Sequence, residues 1–218
     1  GIGKESYRTF YMSQVKYNAL LQAYLEEHRS EVTVDEAKEY MDTTYAHIMQ
    51  LTLPSTDASY QLLDEDAAAA LMEAANNAIA QMEDEGATLD EVADDVLQEV
   101  LPLSGREYTD SSVSEYLSER YVSENSTLYG NDFSLAMLAA EVGSCGLYTA
   151  STSPLLYEKL PNYETDQQFE EEHFAAMADE INARAFEEEV DEKAGALSLE
   201  EDAAAVRTYS VYNIKTEV

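Results

Sequence analysis

Apolar residues recur at helical spacing through the first stretch of the chain. Tyr7, Phe10, Tyr11, Tyr17, Leu21, Tyr24, Leu25 and His28 fall three, four, six or seven apart. Met12, Val15, Ala19 and Ala23 add a second flank. The pattern predicts a helix over 5–28 that is apolar around most of its girth. Such a helix packs on several sides, against its own chain, another segment or a partner. Thr33-Val34-Asp35-Glu36 fits a capping box, with Glu three residues after Thr, and opens a helix from 34 to about 42. Residues 46–53 then alternate: His47, Met49, Leu51 and Leu53 share one face of a strand that Pro54 stops.

Asp64 caps an Ala-rich helix over 65–85, and Gly86 stands where such helices end. Thr88 and Ser112 open two further capping boxes, predicting helices to about 100 and about 123. Asn131-Asp132 caps a helix to 142, and 145–150 reads as a short strand. Pro154 and Pro161 bracket an irregular stretch before a long acidic helix over 165–194. Residues 205–217 alternate again and predict a closing strand. Strands at 46–53 and at the C-terminus are expected to pair, because an isolated strand leaves its backbone groups unpaired. The class expected is α+β, with a small sheet wrapped by helices.

Charge changes the picture more than composition does. The 218 residues carry 45 Asp and Glu against 12 Lys and Arg, a formal −33. Nucleic acid is excluded as an expected partner, because binding a phosphate backbone needs a basic face. Residues 1–40 are nearly balanced, with seven acids and five bases, while 41–218 hold 38 acids and seven bases. That break suggests a boundary near residue 40. Apolar residues make up 45% of the chain, enough to bury a core. Cys145 is the only cysteine, so no internal disulfide forms. No run of about 18 apolar residues suggests a membrane span.

Motifs carrying chemistry are sparse. There is no phosphate-binding loop, HExxH, CxxC or EF-hand loop. The acidic runs at 64–66, 170–172 and 187–189 read as solvated helix faces, since consecutive helical residues point different ways. No metal and no cofactor are expected. His28 lies near a helix C-terminus, where the dipole favours its charged form. His173 reads as solvated within an acidic helix. His47, on the apolar-leaning face of the first strand, reads by itself as a satisfied core histidine. Nothing marks Cys145 as a nucleophile.

Taken in order, the segments resemble an extracytoplasmic foldase of the PrsA/SurA type with a parvulin-type peptidyl-prolyl isomerase domain. YRTFYMSQVKYNALLQAYLEE and EVTVDEAKEYMDTTY resemble a last chaperone-module helix and its linker. YAHIMQLTL at 45–53 resembles the family's first strand. GATLDEVADDV at 86–96 resembles its Asp-Phe-Ala-Glu-Leu-Ala segment, with Leu89 or Val92 where Phe is usual. MADEINARAF at 177–186 resembles its Met-x-x-x-Phe-x-x-x-x-Phe segment, with Ile181 for the central Phe. VRTYSVYNIKTEV at 206–218 resembles the closing strand, with Val211 for Gly and Asn213 for His. EYTDSS at 107–112 makes Asp110 the counterpart of the family's Asp or Cys, and Cys145-Gly146-Leu147 resembles its Gly-Gly-Leu turn. Residues 113–165 have no match and read as a helical insertion.

The resemblance implies residues 1–40 as the end of a chaperone module and 41–218 as a divergent parvulin-like domain. It implies a small, mainly antiparallel sheet and a location outside the cytoplasm. The implied substrate is unfolded or proline-containing polypeptide. Prolyl isomerisation faces a barrier of about 18–20 kcal/mol from amide resonance. No bond breaks, so a pocket that favours the twisted amide suffices. The resemblance assigns the polar network to His47, Asp110 and Asn213, and the proline pocket to Met177, Ile181 and Phe186. Asn213 hydrogen-bonds but does not titrate, and Ile181 is not aromatic. Three readings stay open: a divergent isomerase, a non-catalytic holdase, and an acidic interaction protein. Exchange of the N-terminal helix between protomers would give a homodimer.

Overall fold

A computed structural model describes residues 3–126, 129–149 and 153–197. The helices are α1 (Lys4–His28), α2 (Val34–Thr44), α3 (Glu65–Glu85), α4 (Leu89–Leu103), α5 (Ser112–Tyr116), α6 (Asn131–Ala139), α7 (Asp166–Gln168) and α8 (Phe174–Gly195). The strands are β1 (Tyr45–Thr52), β2 (Leu117–Ser123), β3 (Cys145–Tyr148) and β4 (Leu155–Leu160). The chain divides into two compact units. One comprises 33–177; the other comprises, among the described residues, 3–32 and 178–197.

The larger unit is α+β, built on an antiparallel sheet of order β2-β1-β4-β3. Alternation along β1 sends Leu51 toward α3 and α4, and Ala46 and Ile48 toward α6. The first core joins Leu51, Leu53 and Leu156 to Leu71 and Ala75 of α3 and to Leu97 and Leu101 of α4. The second joins Ile48, Val122 and Leu155 to Phe133 and Met137 of α6. Local signals set these helices. Asp64 accepts from the Ala67 N–H, Thr88 and Glu91 form the expected capping box, and Gly86 turns the chain at φ +72°. Lys159 donates from Nζ to the Ala140 carbonyl at 2.6 Å, holding a cation at the C-terminal end of α6.

Two expectations for the middle of the chain are corrected. The helix expected to run to 123 stops at Tyr116, and 117–123 is β2. Leu117, Glu119 and Tyr121 alternate with Ser118, Arg120 and Val122, so pairing with β1 overrides the helix opened at Ser112. The stretch between Pro154 and Pro161 is β4, a central strand. Both prolines sit just outside it, where the lost N–H breaks no ladder bond. Residues 113–165 thus supply three of the four strands, together with α6 and most of α5. The strand expected at 205–217 lies outside the described residues. Both edges of β1 are filled, by β2 on one side and β4 on the other.

In the helical unit, Tyr17 and Tyr24 of α1 meet the ring of Phe186 on α8 at 5.5 and 5.3 Å. Arg29 makes a bidentate pair with Asp179, at 2.7 and 2.6 Å. Much of the apolar surface of α1 is uncovered within this chain. Tyr7, Phe10, Tyr11 and Leu20 are each about 60% exposed, and Leu25 alone of α1 is buried.

Candidate functional site

The site forms where β4 ends. Pro161 follows the last residue of β4, and beyond it the Asn162 side chain takes up backbone groups of β1. Asn162 Oδ1 accepts from the His47 backbone N–H at 3.0 Å, while Nδ2 donates to the Tyr45 carbonyl and to Asp42 Oδ1, both at 3.1 Å. The sheet's last rung is thus a side chain, which holds residues 161–164 against β1.

His47 lies at this rung. It faces Tyr121 across β1–β2 and Leu160 across β1–β4. Its imidazole stacks on the Tyr121 ring, 4.4 Å between centroids and 12° between planes. Nδ1 lies 3.0 Å from the Pro161 carbonyl, and Nε2 lies 3.1 Å from Glu119 Oε2. Both ring nitrogens face oxygen acceptors, so only the doubly protonated ring donates to both. Tyr121 in turn donates its hydroxyl to the Asn162 carbonyl at 2.8 Å. Burial, then the charges of Glu119 and Glu172, push the Tyr121 phenol above its ordinary pKa, so it stays a neutral donor.

His173 also meets the Tyr121 ring, edge on at 5.8 Å. His173 is the last residue of a π-helical turn over Phe169–His173 that precedes α8. It is not solvated as its acidic neighbourhood suggests: its side chain is 18% exposed. Its Nε2 has no hydrogen-bond partner among the described residues and lies 4.0 Å from Glu172 Oε2. The cleft beside His47 encloses about 150 Å³ between Tyr121, Leu160, Pro161 and Tyr163. That is room for one side chain, below the range of small-molecule sites. Among the described residues, no Ser, Thr, Cys or Lys side chain lines it. Its chemistry is hydrogen bonding and stacking.

Of the six sequence-derived residues, His47, Asp110 and Met177 belong to the α+β unit. His47 lies in the cleft. Asp110 is exposed in the turn before α5 and does not line it. Met177, the last residue of the α+β unit, is 7% exposed and does not line it either. Ile181 and Phe186 belong to the helical unit, where Phe186 is 8% exposed under Tyr17 and Tyr24. Asn213 lies outside the described residues. Glu119 and Tyr121 lie on β2, and Pro161 and Asn162 follow β4, two strands that the sequence pattern does not predict; the two prolines bracketing Leu155–Leu160 are the available signal. Among the described residues, no three His, Cys, Asp or Glu are placed to hold a metal ion, and no helix is long and apolar enough to cross a membrane.

No protein-family model matches the chain, and no curated protein matches it in sequence. Two solved structures are similar. PrsA from Bacillus subtilis shares 13% identity at a TM-score of 0.37, over 94% of this chain and 70% of its own. The foldase protein PrsA from Streptococcus pneumoniae shares 13% identity at 0.35, over 92% and 70%.

Proposed function

We propose that the protein is an extracytoplasmic folding factor of the foldase type that holds unfolded polypeptide, with weak or no prolyl isomerisation. The observation that carries the binding role is the exposure of Tyr7, Phe10, Tyr11, Met12, Val15 and Leu20 along one helix, each between 45 and 64% exposed. Exposed apolar surface gathered on one helix in this way marks an interaction site. Its occupant is non-native polypeptide, whose apolar side chains are uncovered and whose sequence is not fixed. Weak catalysis follows from His47, whose two ring nitrogens are engaged by Pro161 and Glu119. The imidazole reaches a substrate amide only by giving up one of those contacts. A location outside the cytoplasm follows from the resemblance, and the acidic surface would keep such a protein soluble there.

A protease-coupled proline-peptide assay, run beside suppression of aggregation of an unfolded client, tests the proposal. Suppression without measurable isomerisation is expected. Isomerisation that vanishes in His47→Ala would make the protein an enzyme instead, and absence of both activities would sink the proposal.

A further inference from the structure

The loop between β1 and α3 is tightly built, yet it holds two large apolar side chains out to solvent. Thr56 and Leu62 bridge across it. Asp57 donates its N–H to the Gln61 carbonyl at 2.7 Å, and its Oδ1 accepts from the N–H groups of Ser59 and Gln61 at 2.8 and 2.9 Å. Arg106 reaches in from beyond α4 and donates to the carbonyls of Thr56 and Asp57. Tyr60, at the tip of this fixed loop, is 85% exposed, and Leu62, at its bridge, is 82% exposed. Tyr60 also has φ +61°, a conformation costly for an aromatic residue.

Beneath the tip lies a cleft of about 400 Å³, walled by Leu62, Leu63, Ala67 and Leu103 and rimmed by Asp57 and Asp64. Among the described residues no Lys or Arg pairs with either carboxylate. Residues 54–66 hold four acids and no base, and residues 33–177 hold 30 acids against four bases. We infer that this cleft docks an extended polypeptide segment in which Lys or Arg alternates with apolar side chains. The apolar side chains enter between Leu62, Leu63 and Leu103 or lie on Tyr60, and the cations meet Asp57 and Asp64. The charge selects the occupant: an acidic segment meets repulsion across the whole unit. The inference deepens the folding-factor reading by naming the segments a client would offer.

The chain has no tryptophan, so the emission of a short peptide alternating Lys and Leu, with one Trp, reports binding to the full chain. A matched peptide with Glu for Lys is the counter-probe. Asp57→Asn with Asp64→Asn keeps both Oδ1 acceptors and removes two charges. Tyr60→Gly removes the aromatic ring at a backbone angle that glycine adopts freely. Each variant is expected to weaken the Lys peptide about tenfold, while Asp84→Asn with Glu85→Gln, at the other end of α3, changes it by less than about twofold. The inference is overturned if the Glu peptide binds as well as the Lys peptide, if the control pair weakens binding as much as the loop pair, or if Tyr60→Gly binds as the native chain does. Peptide binding without suppression of client aggregation would sink the folding-factor reading and leave this site standing. Suppression without peptide binding would do the reverse.

Discussion

The Tyr121 ring lies flat on the His47 imidazole, 4.4 Å away, because the two residues are directly opposed on β2 and β1. The pair joins the centre of the sheet to the turn after β4 through the Pro161 and Asn162 carbonyls. His47→Phe keeps a ring on Tyr121 but loses both nitrogen contacts. At about 0.5–1.5 kcal/mol per hydrogen bond, it is expected to cost about 1–3 kcal/mol. His47→Ala loses the stack as well and costs more. Urea unfolding distinguishes them, and equal losses would show that the stack contributes nothing.

Gly146 faces the Tyr157 side chain across β3–β4. A Cβ at Gly146 would fall 2.7 Å from the Tyr157 hydroxyl and 3.0 Å from its ring carbon. Gly146→Ala is expected to cost about 1–3 kcal/mol through this overlap. The same change in a Tyr157→Leu background is expected to cost much less, giving a measurable coupling in a double-mutant cycle.

The legible parts of the fold carry their signals within a few residues. The α3 and α4 helices and the start of α2 are written in Asp64, Gly86, Thr88-Glu91 and Thr33-Glu36, and β1 in its alternation. β2 and β4 were not legible because their strand character comes from neighbours distant in sequence. Glu119 and Arg120 interrupt any apolar pattern in β2, and Leu155-Leu156 gives β4 no alternation where the strand is buried on both faces. The site inherits this limit. His47 stood out on a recognisable strand, whereas Glu119 and Tyr121 become its neighbours only once 117–123 pairs with β1.

His28 is a pH probe of the helical unit. Its hydrogen bond to Glu31, at 2.9 Å, is the main force raising its pKa above the ordinary 6.5; burial opposes this, and the charges of Glu31, Glu27 and Glu189 add to it. A raised folded-state value means that this contribution to stability is fully present below about 6.5. It is lost as pH rises through the folded value. An NMR titration is expected to place the His28 midpoint above 6.5, and Glu31→Gln is expected to lower it. A midpoint unmoved by that change would contradict the assignment.

Cys145 is expected to react slowly. Burial first, then the charges of Glu83 and Glu158, push its thiol above its ordinary pKa, so little thiolate exists near neutrality. Its rate with a disulfide reagent should fall below that of a free small thiol at pH 8 and climb as the solution is made more alkaline. Reaction as fast as the free thiol would mean that the cysteine is neither buried nor surrounded by negative charge.

Client binding through α1 is tested most directly by one dose–response measurement of aggregation suppression. The native chain is compared with Tyr7→Ser/Phe10→Ser/Tyr11→Ser, three exposed positions whose replacement removes apolar surface without opening a core. Unchanged thermal unfolding confirms that the fold is retained. The account predicts that the triple variant needs about tenfold more protein for equal suppression, as expected when the apolar anchors of an interface are lost. A variant that suppresses aggregation as well as the native chain does would contradict it.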